Sequence, residues 1–153
     1  LGLEGVAESK IRQALDLIKG SELEGSVILV EDSGIFLDAF PEWPGARSSD
    51  VEKEIGLEGI IDRVNESGNS GAEYRAVAIL SNGNQEWKSQ GICRGKISDY
   101  PRGSNGFGYD PIFIPEEGGG RTFGELGKEI KNRISHRKKV MQGLSNLLKP
   151  PSR

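Results

Sequence analysis

One cysteine in 153 residues, Cys93, excludes an internal disulfide, and no further Cys or His stands at zinc-ligand spacing from it. Long apolar runs are also missing. The longest aliphatic stretch is Val27 to Val30, far below the roughly 20 residues that span a bilayer, so no membrane partner is expected. No charged segment followed by an apolar one opens the sequence, and the expectation is a cytoplasmic protein. An excess of basic charge is lacking as well: 20 Lys and Arg face 23 Asp and Glu, for a net charge of -3. That balance argues against a nucleic-acid partner, which calls for a broad basic field. No Gly-x-Ser-x-Gly elbow and no P-loop appears, so covalent nucleophilic catalysis is not indicated.

What is present fits one soluble domain over residues 1–153, with 35% hydrophobic and 28% charged residues. Glycine, at 22 residues, is about twice its average usage of roughly 7% and follows no period, which reads as many tight turns. Ala7, Ile11, Ala14, Leu15 and Ile18 recur at helical spacing, predicting a helix that ends near Lys19-Gly20 with Glu8 at the edge of its apolar stripe. Ser26 to Val30 reads as a strand buried on both faces, ending in a turn at Glu31-Asp32-Ser33-Gly34. Phe40 to Gly45, with two prolines and a glycine, reads as a loop.

A helix capped by Ser49 or Asp50 is predicted to pause at Gly56 and resume through Val64. Tyr74 to Leu80 and Glu86 to Ile97 flank an Asn82-Gly83 turn, the signal of an antiparallel hairpin. Ile112 to Ile114 reads as a short strand. Thr122 to Glu125 has the pattern of a capping box, and a last helix is expected after Ser135, with Val140, Met141, Leu144, Leu147 and Leu148 on one face. Helices and strands alternate without a strict βαβ rhythm. The fold class is therefore α/β, with a mixed, twisted central sheet flanked by helices.

Three places could carry chemistry. Glu31 and Asp32 follow a strand, where open α/β sheets present ligand groups, and neighbouring residues of an extended chain point to opposite faces. With Glu8 they could form an oxygen-rich Mg²⁺ site; alternatively Asp32-Ser33-Gly34 is a plain turn and Glu8 a solvated charge. Gly106-Phe107-Gly108-Tyr109-Asp110 frames two aromatics and an acid with glycines, so a flat ligand can approach and stack, and Asp110 can accept from a purine edge or a ribose. The alternative is a core Phe and Tyr beside a glycine turn. Ser135-His136-Arg137 opens a helix whose N–H groups favour an anionic or carbonyl ligand, although Arg137-Lys138-Lys139 also fits a solvated face. An RNA-binding module would share the Gly-Phe-Gly-Tyr pattern, but Pro111 removes a backbone donor and the acidic balance opposes it.

Taken in order, Val30 to Gly34, Phe40 to Gly45, Gly106 to Ile114 and Lys131-Asn-Arg-Ile-Ser-His-Arg137 resemble the Ham1-type inosine triphosphate pyrophosphatase family, most of all its archaeal members. The resemblance implies metal-dependent hydrolysis of ITP, dITP and XTP to the monophosphate and pyrophosphate. It implies Mg²⁺, or Mn²⁺, held by Glu8 and Asp32, with Asp32 acting on water and Glu31 supporting. Ser33 would touch the substrate and Phe107 would stack on the base. Gly108, Tyr109 and Asp110 would line the nucleoside pocket, and Lys131, His136 and Arg137 would recognise the oxo-purine. A homodimer is implied too. The family's first strand and its Ser/Thr-x-Asn-x-x-Lys loop have no match here, so about 40 residues of the usual N-terminus are expected to be absent, an estimate from domain size. A nucleotide-binding relative without turnover is the alternative that this departure suggests.

Overall fold

The computed structural model describes residues 2–149. Helix α1 (Leu3–Ile18) leads to strand β1 (Ile28–Leu37) and β2 (Phe40–Pro44), and a single 3₁₀ turn joins these to α2 (Ser48–Ser67). Strands β3 (Gly71–Ser81) and β4 (Glu86–Ile97) form a hairpin. A long loop then reaches the short β5 (Phe113–Pro115), followed by α3 (Lys128–Ile134) and α4 (His136–Leu148).

The sheet order is β2-β1-β3-β4-β5. The α/β architecture matches expectation, but each of the four pairings is antiparallel where a mixed sheet was predicted. Short turns after β1 and β3 reverse the chain directly, and α2 returns it as a further antiparallel neighbour.

Two other expectations change. The run from Ser26 to Val30 is not buried on both faces, since Val27 and Leu29 are exposed; the doubly buried strand is β3, where Ala76 to Ile79 are all covered. Nor does β1 stop at Glu31. It pairs residue by residue with β3 from Ile28↔Ser81 to Leu37↔Ala72, so Glu31, Asp32, Ser33 and Gly34 are strand residues. Cross-strand pairing outweighs their local turn preference. The segment read as a loop, Phe40 to Pro44, is an edge strand, the position where a missing proline N–H is tolerated.

The helices divide between the two faces. On one, Leu3, Ala7 and Ile11 of α1 pack with Phe36, Val77 and Ile79. On the other, Val140 and Leu144 of α4 pack on Ala76 and Ala78, while the main core gathers Ile35, Leu37, α2 and the Tyr74-Phe113-Phe123 aromatics. Helix α2 begins at Ser48 with no side-chain cap and bends at Gly56 (φ 70°), the predicted pause. Ser48 instead ties the helix to the sheet: its Oγ accepts from Ile35 N–H at 2.8 Å and donates to Gly45 O at 2.6 Å. Thr122 and Glu125 do exchange capping-box hydrogen bonds, yet they close a turn rather than open a helix.

Candidate active site

A cavity of about 680 Å³ opens on the α4 side of the sheet, bounded by Ser33 and Gly34 of β1, the start of α2, the loop from Asn105 to Asp110, and helices α3 and α4. Glycine seats α4 there. A Cβ on Gly91 would lie 2.2 Å from His136 O and 2.6 Å from Val140 N, so the helix start can approach β4 only because position 91 is bare. Ser135 caps the helix as predicted, its Oγ accepting from Lys138 N–H at 3.2 Å.

His136, the first residue of α4, is buried with its ring stacked on Tyr74 at 4.6 Å between centroids and 7° between planes. Burial, and then the charges of Arg137, Lys131 and Lys139, push its pKa down to about 3, so the imidazole is neutral at physiological pH. Its Nδ1 is buried without a hydrogen-bond partner.

The glycine-framed loop is held from within. Asp110 is buried, and its Oδ2 accepts from Phe107 N–H at 2.9 Å and from Lys131 Nζ at 2.5 Å. Gly106 (φ 75°) is required, because a Cβ there would meet Asp110 Oδ2 at 2.0 Å. Tyr109 is buried and donates its hydroxyl proton to Ser48 O at 2.7 Å, which joins the loop to α2; burial raises its pKa. Phe107, in contrast, is 64% exposed. Lys131 Nζ lies 5.1 Å and Arg137 Cζ 5.3 Å from its ring centroid. The loop thus presents an open aromatic face flanked by two cations.

Of the residues singled out in the sequence, Ser33, Phe107, Gly108, Tyr109, Asp110, Lys131, His136 and Arg137 all line this cavity. Glu31 joins them through Arg137, whose Nε lies 3.5 Å from Glu31 Oε1. Asp32 and Glu8 do not line it. Asp32 points to the α1 side of the sheet and accepts from Lys10 Nζ at 3.0 Å. Glu8 bonds to Lys88, which also contacts Glu4; the Lys88 hydrogen bond and charge hold the Glu8 carboxyl below its usual range. Among the described residues no group of three or more His, Cys, Asp or Glu side chains is clustered for a metal. Buried oxygens without a hydrogen-bond partner remain at Glu31 Oε1 and Asp32 Oδ2.

Tyr74, Ser48, Glu52, Lys10 and Lys88 carry no local signal of a role at these sites. Tyr74 sits inside a hydrophobic strand pattern, and the lysines meet their carboxylates only through packing of α1 on the sheet.

The Ham1 family profile matches residues 2–147. Curated dITP/XTP pyrophosphatases of Pyrococcus horikoshii and Thermococcus kodakarensis are both 40% identical to this chain, over 84% and 96% of it and over 70% and 76% of their own lengths. That of Methanopyrus kandleri is 44% identical over 80% of this chain and 65% of its own. The chain thus spans about two thirds of the length of several of these relatives. Among solved structures, the Ham1 protein of Staphylococcus aureus superposes with a TM-score of 0.84 at 27% identity, covering 97% of this chain and 77% of that one. A nucleoside-triphosphatase, or dITP/XTP pyrophosphatase, of Mycobacterium abscessus gives 0.75 at 30% identity, covering 97% and 76%. By its sequence over nearly its whole length, and by its fold, the chain belongs to the Ham1 family.

Proposed function

We propose that this chain hydrolyses non-canonical purine nucleoside triphosphates, ITP, dITP and XTP, between the α- and β-phosphates, to the monophosphate and pyrophosphate. The observation that carries this reading is the exposed Phe107 ring between Lys131 and Arg137 at the mouth of the cavity that His136 lines. A purine stacks on that ring. Lys131 and Arg137 are obligate donors, and a neutral imidazole offers one N–H, so a 6-oxo group finds partners where the amine of adenine meets further donors. The curated relatives named dITP/XTP pyrophosphatases support the same substrate class.

The attacking water lies, on this reading, across β1 from the base. Asp32 is adjacent to Glu31 and Ser33 but on the opposite face, so β1 would pass beneath the triphosphate. Asp32 takes the proton of the water whose oxygen bonds to phosphorus as the anhydride bond breaks and pyrophosphate leaves. The donor set is all oxygen, and Asp32 Oδ2 is buried without a partner, which fits a hard cation such as Mg²⁺ or Mn²⁺ held by Asp32 and Glu8. A bound cation supplies neutralisation of phosphate charge. Lys10 and Lys88 hold these two carboxylates in the meantime. A homodimer in the cytoplasm completes the proposal.

Phosphorus NMR of ITP and of ATP incubated with this chain and Mg²⁺ tests it. Pyrophosphate from ITP and none from ATP is the expected result. Release of inorganic phosphate instead would overturn the assigned bond, and absence of any product would leave a binding role only.

A further inference from the structure

The His136 ring is held in an unusual way. Among the described residues neither of its nitrogens makes a hydrogen bond, and Nδ1 is sealed off with no partner at all. Most buried imidazoles are oriented by a bond at one nitrogen. Here the one close planar contact is the Tyr74 ring, nearly parallel at 7° and 4.6 Å away. Tyr74 is itself buried in the main core. It packs edge-on against Phe113 at 4.7 Å and at a tilt of 36° against Phe123 at 6.0 Å. The start of α4 sits directly on Gly91, which seats the His136 backbone against β4.

We propose that Tyr74 is a positioning residue for base recognition: stacked on His136, it fixes the imidazole plane and keeps water from that side of the ring, so that the ring meets the purine in one orientation. The proposal rests on the substrate reading above. The surroundings agree with a ring kept uncharged: Arg137 and Lys139 on α4 and Lys131 on α3 all oppose its protonation, while Asp110 and Glu52 stand near Tyr74. Tyr74 lines the cavity beside His136, and the stacked ring faces are the contact by which the two side chains meet.

His136 is the one histidine of the chain, so its proton NMR signal is free of overlap from others. Tyr74→Phe and Tyr74→Leu are compared with the parent in two measurements: titration of that signal, and the ratio of IMP to AMP affinity by calorimetry, which needs no turnover. In the parent and in Tyr74→Phe the signal should not titrate between pH 5 and pH 9. In Tyr74→Leu the ring gains solvent on the Tyr74 side, so its titration should move up from that of the parent while staying below the ordinary histidine value of about 6.5, because Arg137, Lys131 and Lys139 remain in place, and the IMP preference should fall about tenfold or more while Tyr74→Phe retains it. A folded Tyr74→Leu chain with an unchanged signal and an unchanged ratio overturns the proposal. If the parent binds neither nucleotide, the substrate reading fails and the recognition role falls with it, whereas the titration still decides whether Tyr74 holds the ring.

Discussion

At the scale of single residues, Arg137 has two duties, one toward the Phe107 ring and one toward Glu31. Arg137→Ala removes a charged donor from the oxo-purine side, and the preference for ITP over ATP in kcat/KM should fall by about 1.5–3 kcal/mol, the range for hydrogen bonds to charged groups. Steady-state kinetics on both nucleotides measures it, and an unchanged ratio removes Arg137 from base recognition. His136 has a consequence for stability as well. Its folded pKa of about 3 lies below the ordinary 6.5, so the unfolded chain binds the extra proton. Its contribution is therefore complete above pH 6.5 and is lost as pH falls toward 3. Carboxylates titrate mostly below about pH 4.5, so in the interval above that the loss belongs to the lone histidine. Urea unfolding at pH 7 and pH 5 should show lower stability at pH 5, and His136→Phe should flatten the difference.

At the scale of elements, the seat of α4 on the sheet is the contact on which the cavity depends. Gly91→Ala places a methyl group against the backbone of His136 and Val140, and neither atom is the end of a flexible side chain. The helix must shift, with an expected cost of about 1–3 kcal/mol in urea denaturation, typical of forced overpacking. Displaced His136 should also weaken IMP binding. Elements with a local signal were legible in the sequence: the Asn82-Gly83 hairpin, the Ser135 cap and the Gly56 pause are each dictated by the residue in question. Strand β1 was legible only to Val30. Asp32-Ser33-Gly34 has strong turn chemistry, and what overrides it is pairing with β3, a partner some 40 residues away. The edge strand β2 was hidden by its prolines for the same kind of reason. Of the last helix's apolar residues, Val140 and Leu144 are buried, but Met141, Leu147 and Leu148 are at least 40% exposed, so spacing alone overstated the width of the buried face.

At the scale of the whole molecule, the sheet is a partition: the aromatic and cationic cavity lies on the α4 side, while Asp32 and Glu8 lie with their lysines on the α1 side. Binding and turnover should therefore separate. Asp32→Asn is expected to abolish pyrophosphate release from ITP while IMP affinity and the unfolding transition remain near those of the parent. Turnover near normal in that variant would exclude Asp32 from the chemistry. Phe107, Tyr109, Asp110, His136 and Arg137 of the cavity could be chosen from sequence because aromatics between glycines and a capped basic helix are local patterns, whereas Ser33 and Lys131 were reached only through the family resemblance. Their partners Tyr74 and Ser48 could not, nor could Lys10 beside Asp32, since each is brought in by an element distant in the chain.

The alternation of β1 ties these two sides together more tightly than any single contact. Glu31 and Ser33 belong to one side and Asp32 to the other, in strict succession, and Ile35 and Phe36 follow the same rhythm into two different cores. An insertion or deletion of one residue ahead of Glu31 would invert the phase of the strand, turning Asp32 toward Arg137 and Glu31 toward Lys10, unless a bulge absorbed it before Ile35. Length can vary freely in the polar turn between α1 and β1, but parity within the strand cannot.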